Sequence, residues 1–422
     1  MNVNLLEPRL PGARRTSSAL LTALGLLLTL PRWASADTLW EWNDAALAAT
    51  VAARQPPFVA TRVMAILDVA MFDAANAVER RYAPYALREP PPPAASSEAA
   101  AAAAAHSVLT IVFPDRTGAW DALLAASLER VADPAARERG IEIGKRAGAA
   151  VLALRTGDGA ELPGTYRPTT EPGRYVPTAL PIGSAWMKVR PWVLGSCDQF
   201  RPPPPPAIGG ARWRRDYDEI RALGARSSTS RTAAQTEAAR FWTMTGPAAQ
   251  WPVARALTAA PGRTIAQNSH LLALMAMAVA DAYLAVFDAK YAYLFWRPIT
   301  AVRNGGGTRA PLPDEAAWEP LVETPMHPEY PCAHCITAAA AAAVLEAEFG
   351  AGELSPAIEM VSATAPGVTH RWTTVRAWQE EVSNARIWGG IHYRNSTEVG
   401  TAMGRRIGQW AVARQLQSLA RR

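Results

Sequence analysis

Three short strings in the second half of the chain hold residues that together can grip an anion and move protons. In "KYAYLFWRP", Lys290 and Arg297 stand seven positions apart. A continuous helix would put them on one face, with roots about 10 Å apart, so that both side chains reach one anion. Pro298 favours fraying near Arg297, which frees the guanidinium to turn. In "PEYPCAH", an Ala-rich helix after Pro331 places Cys332, Ala333 and His334 at its first turn, where unpaired backbone N–H groups favour an anion. His334 beside such a site can exchange a proton near neutral pH. In "ARIWGGIHYRNS", Arg386 and His392 are six apart, and Gly389 and Gly390 supply the break that turns both toward one site. Each string alone also has an ordinary reading: a solvated charged face, a capping histidine, a core histidine.

The three strings in order, K-x6-RP, P-x-x-H and R-x5-H within about a hundred residues, closely resemble the signature of the vanadium-dependent haloperoxidases and type 2 phosphatidic acid phosphatases. The text "MFDAANAVERRYAPY", "RPWVLGSCDQFRPPPPPA", "FWRPITAVR" and "GIHYRNSTEVG" is similar to an exported bacterial haloperoxidase-type branch, and the likeness extends over essentially the whole mature chain. The resemblance implies that Lys290, Arg297 and Arg386 hold the oxygens of vanadate, or of phosphate in the same site, with the Ala333 amide adding a donor. It implies His392 as the axial vanadium ligand and His334 as acid and base opposite it. Several charge-assisted hydrogen bonds suit a multiply charged oxyanion, and arginine forks fit its edges.

The chain departs from the family pattern at four places. The usual P-S-G-H is P-C-A-H, so a hydroxyl at the oxyanion becomes the Cys332 thiol, a poorer donor. Ala333 in place of glycine requires a negative backbone angle. The serine before the third cation is Ala385, and the aspartate four residues beyond the histidine is Ser396. That aspartate would orient the histidine, so His392 is expected to be a weaker ligand unless another group substitutes. His327, seven before His334, matches the histidine of the bromoperoxidases and points to bromide over chloride; a structural histidine is the other reading. The pair in "CAHC" also allows a redox dithiol, a Cys332–Cys335 disulfide or a shielded thiol, although no βαβ pattern surrounds it.

These residues need a frame, and its composition is helical. Alanine is abundant, half the residues are hydrophobic, and β-branched runs are scarce. The first 36 residues read as an export leader: Arg14 and Arg15, the apolar "ALLTALGLLLTL", then "ASA" with cleavage expected after Ala36. The apolar stretch is short for a bilayer span, although an anchor is the alternative. Loss of the leader lowers the formal charge from +6 to +3. Scattered arginines without a basic block argue against a nucleic-acid partner. Cys197, Cys332 and Cys335 allow one disulfide at most.

The mature chain is read as a helical region over 37–155, a Pro/Gly-rich connecting segment over 156–207, and a helical domain over 208–422 carrying the site. Starts are expected at "SSTSRTAAQTEAARFW" and "PGRTIAQNSHLLALMAMAVADAYLAVFDAKYAY". Asp281 and Asp288 interrupt the second apolar run, which is therefore read as a buried helix rather than a membrane span. No fixed-period repeat is visible. The expectation is an all-α fold of helical bundles, exported, without a stable membrane span once the leader is removed, and able to associate into homo-oligomers. The leading function is oxidation of halide by hydrogen peroxide to hypohalous acid. A soluble phosphatase using a phosphohistidine, and a non-catalytic oxyanion binder, are the alternatives. His106, His270 and His370 are read as structural.

Overall fold

Alanine-rich helices with side-chain caps build most of the protein. The computed structural model describes residues 34–89, 93–259 and 262–419, so the apolar part of the expected leader lies outside the described residues. The first half comprises α1 (Ala34–Ala52), α2 (Pro57–Glu79), α3 (Ser97–Val112), α4 (Thr117–Glu129) and α5 (Pro134–Arg155). The second comprises α6 (Ala211–Leu223), α7 (Ala233–Phe241), α8 (Pro247–Thr258), α9 (Ile265–Tyr293), α10 (Pro298–Arg303), α11 (Pro313–Ala316), α12 (Ala333–Phe349), α13 (Val375–Trp388) and α14 (Arg394–Arg414). A single antiparallel hairpin, β1 (Ile358–Ser362) with β2 (Ala365–Trp372), is the strand pair among the described residues. The all-α expectation holds, with that hairpin as an addition.

The two starts foreseen in the sequence are capped as their residues suggest: Thr232 and Thr264 form capping boxes with Gln235 and Gln267 at α7 and α9. Ser96 likewise accepts the Ala99 amide at the head of α3. Helix α9 is the axis: it packs against α2 on one side and α12 and α14 on the other. It is long and apolar enough to cross a membrane by composition, and 94% of its apolar window is buried within the protein.

The two aspartates of α9 explain the Pro-rich segment. Asp281 accepts the backbone N–H groups of Trp192, Val193 and Leu194 at 2.8, 2.8 and 2.9 Å. Asp288 takes a two-pronged grip from Arg201, 2.7 Å at each prong. Residues 156–210, with only a short 3-10 turn at Trp186–Lys188, thus form a strap tied down along the central helix. An irregular chain has backbone donors that no helix satisfies, and the buried Asp281 carboxylate satisfies three of them here.

Two helix pairs share one packing device. On α14, Gly400, Gly404 and Gly408 face the Ala-rich α12; on α5, Gly140, Gly144 and Gly148 face the Ala-rich α3. A Cβ at Gly400 would lie 2.7 Å from the Cys332 carbonyl oxygen, and one at Gly140 would lie 2.6 Å from that of Ser96. The backbones touch because no side chain separates them. The glycines recur every fourth residue in both helices, but which alanine-rich helix each row faces is seen only in three dimensions.

Candidate active site

Arg297 is the hub. The expectation of a frayed helix end is corrected: α9 stops at Tyr293, Leu294 adopts a left-handed backbone (φ 53°), and Arg297 caps a new short helix begun by Pro298. A proline at the first helical position starts a helix as readily as it ends one. Its guanidinium donates to the His327 carbonyl (2.9 Å), the Ile391 carbonyl (2.9 Å), His327 Nδ1 (2.9 Å) and His392 Nε2 (3.2 Å). Lys290, at the end of α9, is fully buried and donates to the Pro328 and Glu329 carbonyls at 2.8 Å each. It thereby fixes the loop that carries His327 and leads into α12.

The helix α12 begins where the sequence places it, with Cys332 as the cap and Ala333 and His334 as its first two positions. The Cys332 sulfur accepts the Cys335 amide at 3.3 Å. Ala333 has no positive backbone angle, so the missing glycine costs nothing there. Arg386 closes α13, and the break after it is formed as expected: Gly390 adopts φ 79°, and His392 follows two residues later, just ahead of α14. The α7–α8 loop supplies a wall that the sequence reading missed. The Trp242 carbonyl accepts from Arg386 Nη1, and the Met244 carbonyl lies 3.3 Å from His334 Nε2.

His327, Ala333, His334, Arg386 and His392 line one cavity of about 650 Å³. Lys290, Arg297 and Cys332 lie outside its lining, although Arg297 touches both His327 and His392. The remaining histidines serve elsewhere. His106 contacts Asp121, His270 stacks on Tyr82, and His370 lies between Glu381 and Phe241. All three cysteines are free thiols.

Burial and mutual repulsion set the charges. Burial, with Arg297 nearby, lowers the Lys290 ammonium well below its ordinary value, and burial holds Arg297 down to about 10. His327, His334 and His392 are pushed well below the ordinary histidine value, by burial first and then by the surrounding cations. Burial alone would raise the Cys332 thiol; the Cys335 groups, Arg386 and Lys290 outweigh it and leave it lowered. Glu329 is the carboxylate that acts on Lys290 and Arg297, whereas Arg386 is buried with cysteines around it and its Nε has no partner. Three buried cations facing one carboxylate leave a positive surplus that a multiply charged oxyanion would balance.

Glu329 also answers the departure at Ser396. Its Oε1 lies 2.8 Å from His392 Nδ1 and accepts the Tyr393 amide at 3.1 Å. Because a guanidinium only donates, Arg297 beside Nε2 marks that nitrogen as the acceptor, and the ring proton resides on Nδ1, directed at Glu329. The His392 tautomer is thereby assigned from its neighbours. The Ser396 hydroxyl approaches the same carboxyl and helps hold it down against burial, which pushes Glu329 up to about 7. Glu329 lies inside the string read for His334, but nothing in local spacing connects it to a histidine on a different loop.

Residues 270–421 match the model of the VCPO second helical-bundle domain. That stretch of the chain belongs to this domain family. The likeness of fold extends well beyond it. A bacterial vanadium-dependent iodoperoxidase superposes with a TM-score of 0.78 at 24% identity, over 92% of this chain and 99% of that one. A holo-type bacterial vanadium-dependent chloroperoxidase gives 0.69 at 18% identity, over 84% and 91%. No curated protein matches the chain. Within the matched residues fall all eight residues singled out in the sequence, together with Glu329.

Proposed function

We propose that the protein is a vanadate-dependent haloperoxidase that uses hydrogen peroxide to oxidise halide to hypohalous acid. The observation that carries this reading is the buried cluster of Lys290, Arg297 and Arg386 at the base of a cavity lined by Arg386 and two neutral histidines, with Arg297 reaching His392 from behind the lining. Vanadate fits it: the group is anionic and oxygen-rich, Arg386 Nε is an unmatched donor, and His392 offers an unprotonated Nε2. Lys290, Arg297, Arg386 and the Ala333 amide would hold the oxygens, with His392 Nε2 toward the metal. Bound vanadate supplies the electrophilic centre that activates peroxide toward halide.

The protein's own part is positional and protonic. Glu329 keeps His392 in the tautomer that presents Nε2. Lys290 fixes the loop before α12 through two carbonyls, and Arg297 ties that loop to His392. His334, neutral in the cation-rich site, is ready to take the proton of an incoming peroxide at its free ring nitrogen and to return it to the departing oxygen. Bromide is the halide read from His327, whose Nδ1 accepts from Arg297 and whose ring meets Phe287 edge-on at 5.4 Å. Hydrogen peroxide and halide are the small partners, and export with cleavage after Ala36 completes the reading.

Bromination of monochlorodimedone by purified protein, with peroxide and with or without orthovanadate, tests it. Turnover that depends on vanadate supports the reading. Absence of turnover with vanadate bound, accompanied by hydrolysis of p-nitrophenyl phosphate, would replace it with the phosphatase.

A further inference from the structure

Cys332 and Cys335 stand in one turn at the start of α12, as its cap and its third position. The Cys332 sulfur accepts the Cys335 amide at 3.3 Å, which draws it across the turn toward the second cysteine. Both are free thiols without solvent exposure. Side chains three apart at a helix start share a face, so these two can close into a disulfide with little movement of the backbone. The same spacing serves redox-active C-x-x-C pairs.

The two sulfurs are not equivalent. Cys332 lies where the cations converge, and its charge acts on Lys290, Arg297 and Arg386 alike. Cys335 lies against α14, where a Cβ at Gly400 would come within 3.3 Å of its own, and the Ser383 hydroxyl approaches its thiol. Burial raises both thiols; Cys335 and the cations then bring Cys332 below its ordinary value, whereas contact with Cys332 pushes Cys335 further up. A sulfur favoured as thiolate beside a protonated partner is what a peroxide-driven disulfide needs. Access selects the oxidant. Ala333, His334 and Arg386 line the cavity of about 650 Å³, and Cys332 lies just behind them. Bulky thiol reagents are shut out, whereas hydrogen peroxide is neutral and close to water in size. Cys197 offers the contrast: it is buried on the strap, its thiol donates to the Val189 carbonyl at 3.6 Å, and burial with nearby aspartates pushes it up to about 12.

We infer that Cys332 and Cys335 form a dithiol oxidised by hydrogen peroxide, and that closing their disulfide releases the cation cluster to hold an oxyanion. The inference rests on the haloperoxidase reading for its oxidant. The Cys332 sulfur attacks one peroxide oxygen, the O–O bond breaks, and the departing hydroxide takes the proton that Cys332 gave up. The Cys335 sulfur then attacks the resulting sulfenic acid, the S–O bond breaks, and the oxygen leaves with the Cys335 proton as water. Two thiols and one hydrogen peroxide give a disulfide and two waters; sulfur is oxidised and peroxide reduced. A disulfide sulfur carries no charge, so an internal competitor for Lys290, Arg297 and Arg386 is removed.

The test counts thiols. Purified protein is reduced, freed of reductant and exposed to stoichiometric hydrogen peroxide without vanadate or halide, then alkylated in denaturant and weighed intact. Of the three cysteines, only Cys197 is expected to remain free, and dithiothreitol should restore the other two. Three free thiols after peroxide, or loss at Cys197 instead, overturns the pair. In Cys335→Ser the disulfide cannot close, and dimedone should capture a sulfenic acid at Cys332; no capture overturns Cys332 as the attacking sulfur. Titration with inorganic phosphate reads the consequence. The oxidised protein should bind phosphate about fivefold tighter than the reduced protein, or more, and Cys332→Ser should bind it equally before and after peroxide. Equal or weaker binding by the oxidised parent overturns the release of the cations. None of these readouts uses turnover, so a failure of the haloperoxidase reading, seen as no vanadate-dependent bromination, is distinguished from a failure of the dithiol.

Discussion

Glu329 Oε1 lies 2.8 Å from His392 Nδ1, with both side chains out of solvent. The pairing joins residues 63 apart in the chain and puts a carboxylate behind the histidine from the loop before α12, whereas Ser396 lies on α14. Replacing Glu329 by alanine leaves the Nδ1–H without an acceptor. A partner of this kind is worth about 10- to 100-fold in metal affinity, so vanadate binding in Glu329→Ala, measured by equilibrium dialysis, should weaken by that factor. Adding Ser396→Asp to that variant should recover part of the loss. Unchanged affinity in Glu329→Ala removes the orienting role.

The single change Ser396→Asp has the opposite sign. It sets a second carboxylate against Glu329 in a dry environment, where like charges repel strongly. A lower melting temperature near pH 7 is expected, relieved on acidification as the pair takes up a proton. A variant as stable as the parent would show that Ser396 and Glu329 do not share a site.

Cys332 caps α12 with sulfur, a weak acceptor. Cys332→Ser should cap better, by about 0.5–1 kcal/mol, and should also tighten oxyanion binding through a stronger donor. Thermal unfolding and vanadate titration read the two effects separately. A drop in both would mean that the thiol is needed where it stands.

The surplus of buried cations makes the free protein sensitive to phosphate. Phosphate at a hundredfold its dissociation constant should raise stability by about 2.7 kcal/mol. In Arg386→Met the rise should shrink strongly. The free protein should lose little, because an unpaired buried charge is removed along with its hydrogen bond to Trp242. Full retention of the phosphate effect in that variant would place the anion elsewhere.

Much of this was legible in the sequence because the cues were local. Thr232 with Gln235, Thr264 with Gln267, and Pro331 ahead of an alanine run mark helix starts within four residues. The eight candidate residues were singled out by their order along the chain, and five of them line one cavity. What was hidden depends on distant partners. Asp281 and Asp288 appeared only as flaws in an apolar run, since their partners in the strap lie more than eighty residues away. Trp242 and Met244 contribute carbonyls, which every residue has, so no side-chain pattern could mark them. Leu294 reverses the chain in a conformation usually left to glycine or asparagine, so the break after α9 was placed at Pro298 instead.

Asp68 gives a prediction away from the site. Burial pushes its carboxyl from 3.8 up to about 7, against the Asn43 side chain and a bond from Trp251. Asn43 Oδ1 is itself a buried acceptor in need of a donor, and a protonated Asp68 beside it can supply one. The folded protein therefore holds a proton that the unfolded chain releases above 3.8. This stabilisation is complete below 3.8 and is lost as pH rises through about 7, at no more than about 1.4 kcal/mol per pH unit. Asp68→Asn should flatten that part of the stability profile; an unchanged profile would show that the carboxyl is already ionised.

The glycines of α14 carry a consequence for how such a protein can diversify. With α14 resting directly on the main chain of α12, the stretch bearing His392 and the turn bearing His334 inherit a spacing that no repacking of side chains can tune. Substrate preference must then vary through the strap and the two loops around the cavity. Chemistry and selectivity are thereby built on separate parts of the chain, one inflexible and the other open to change.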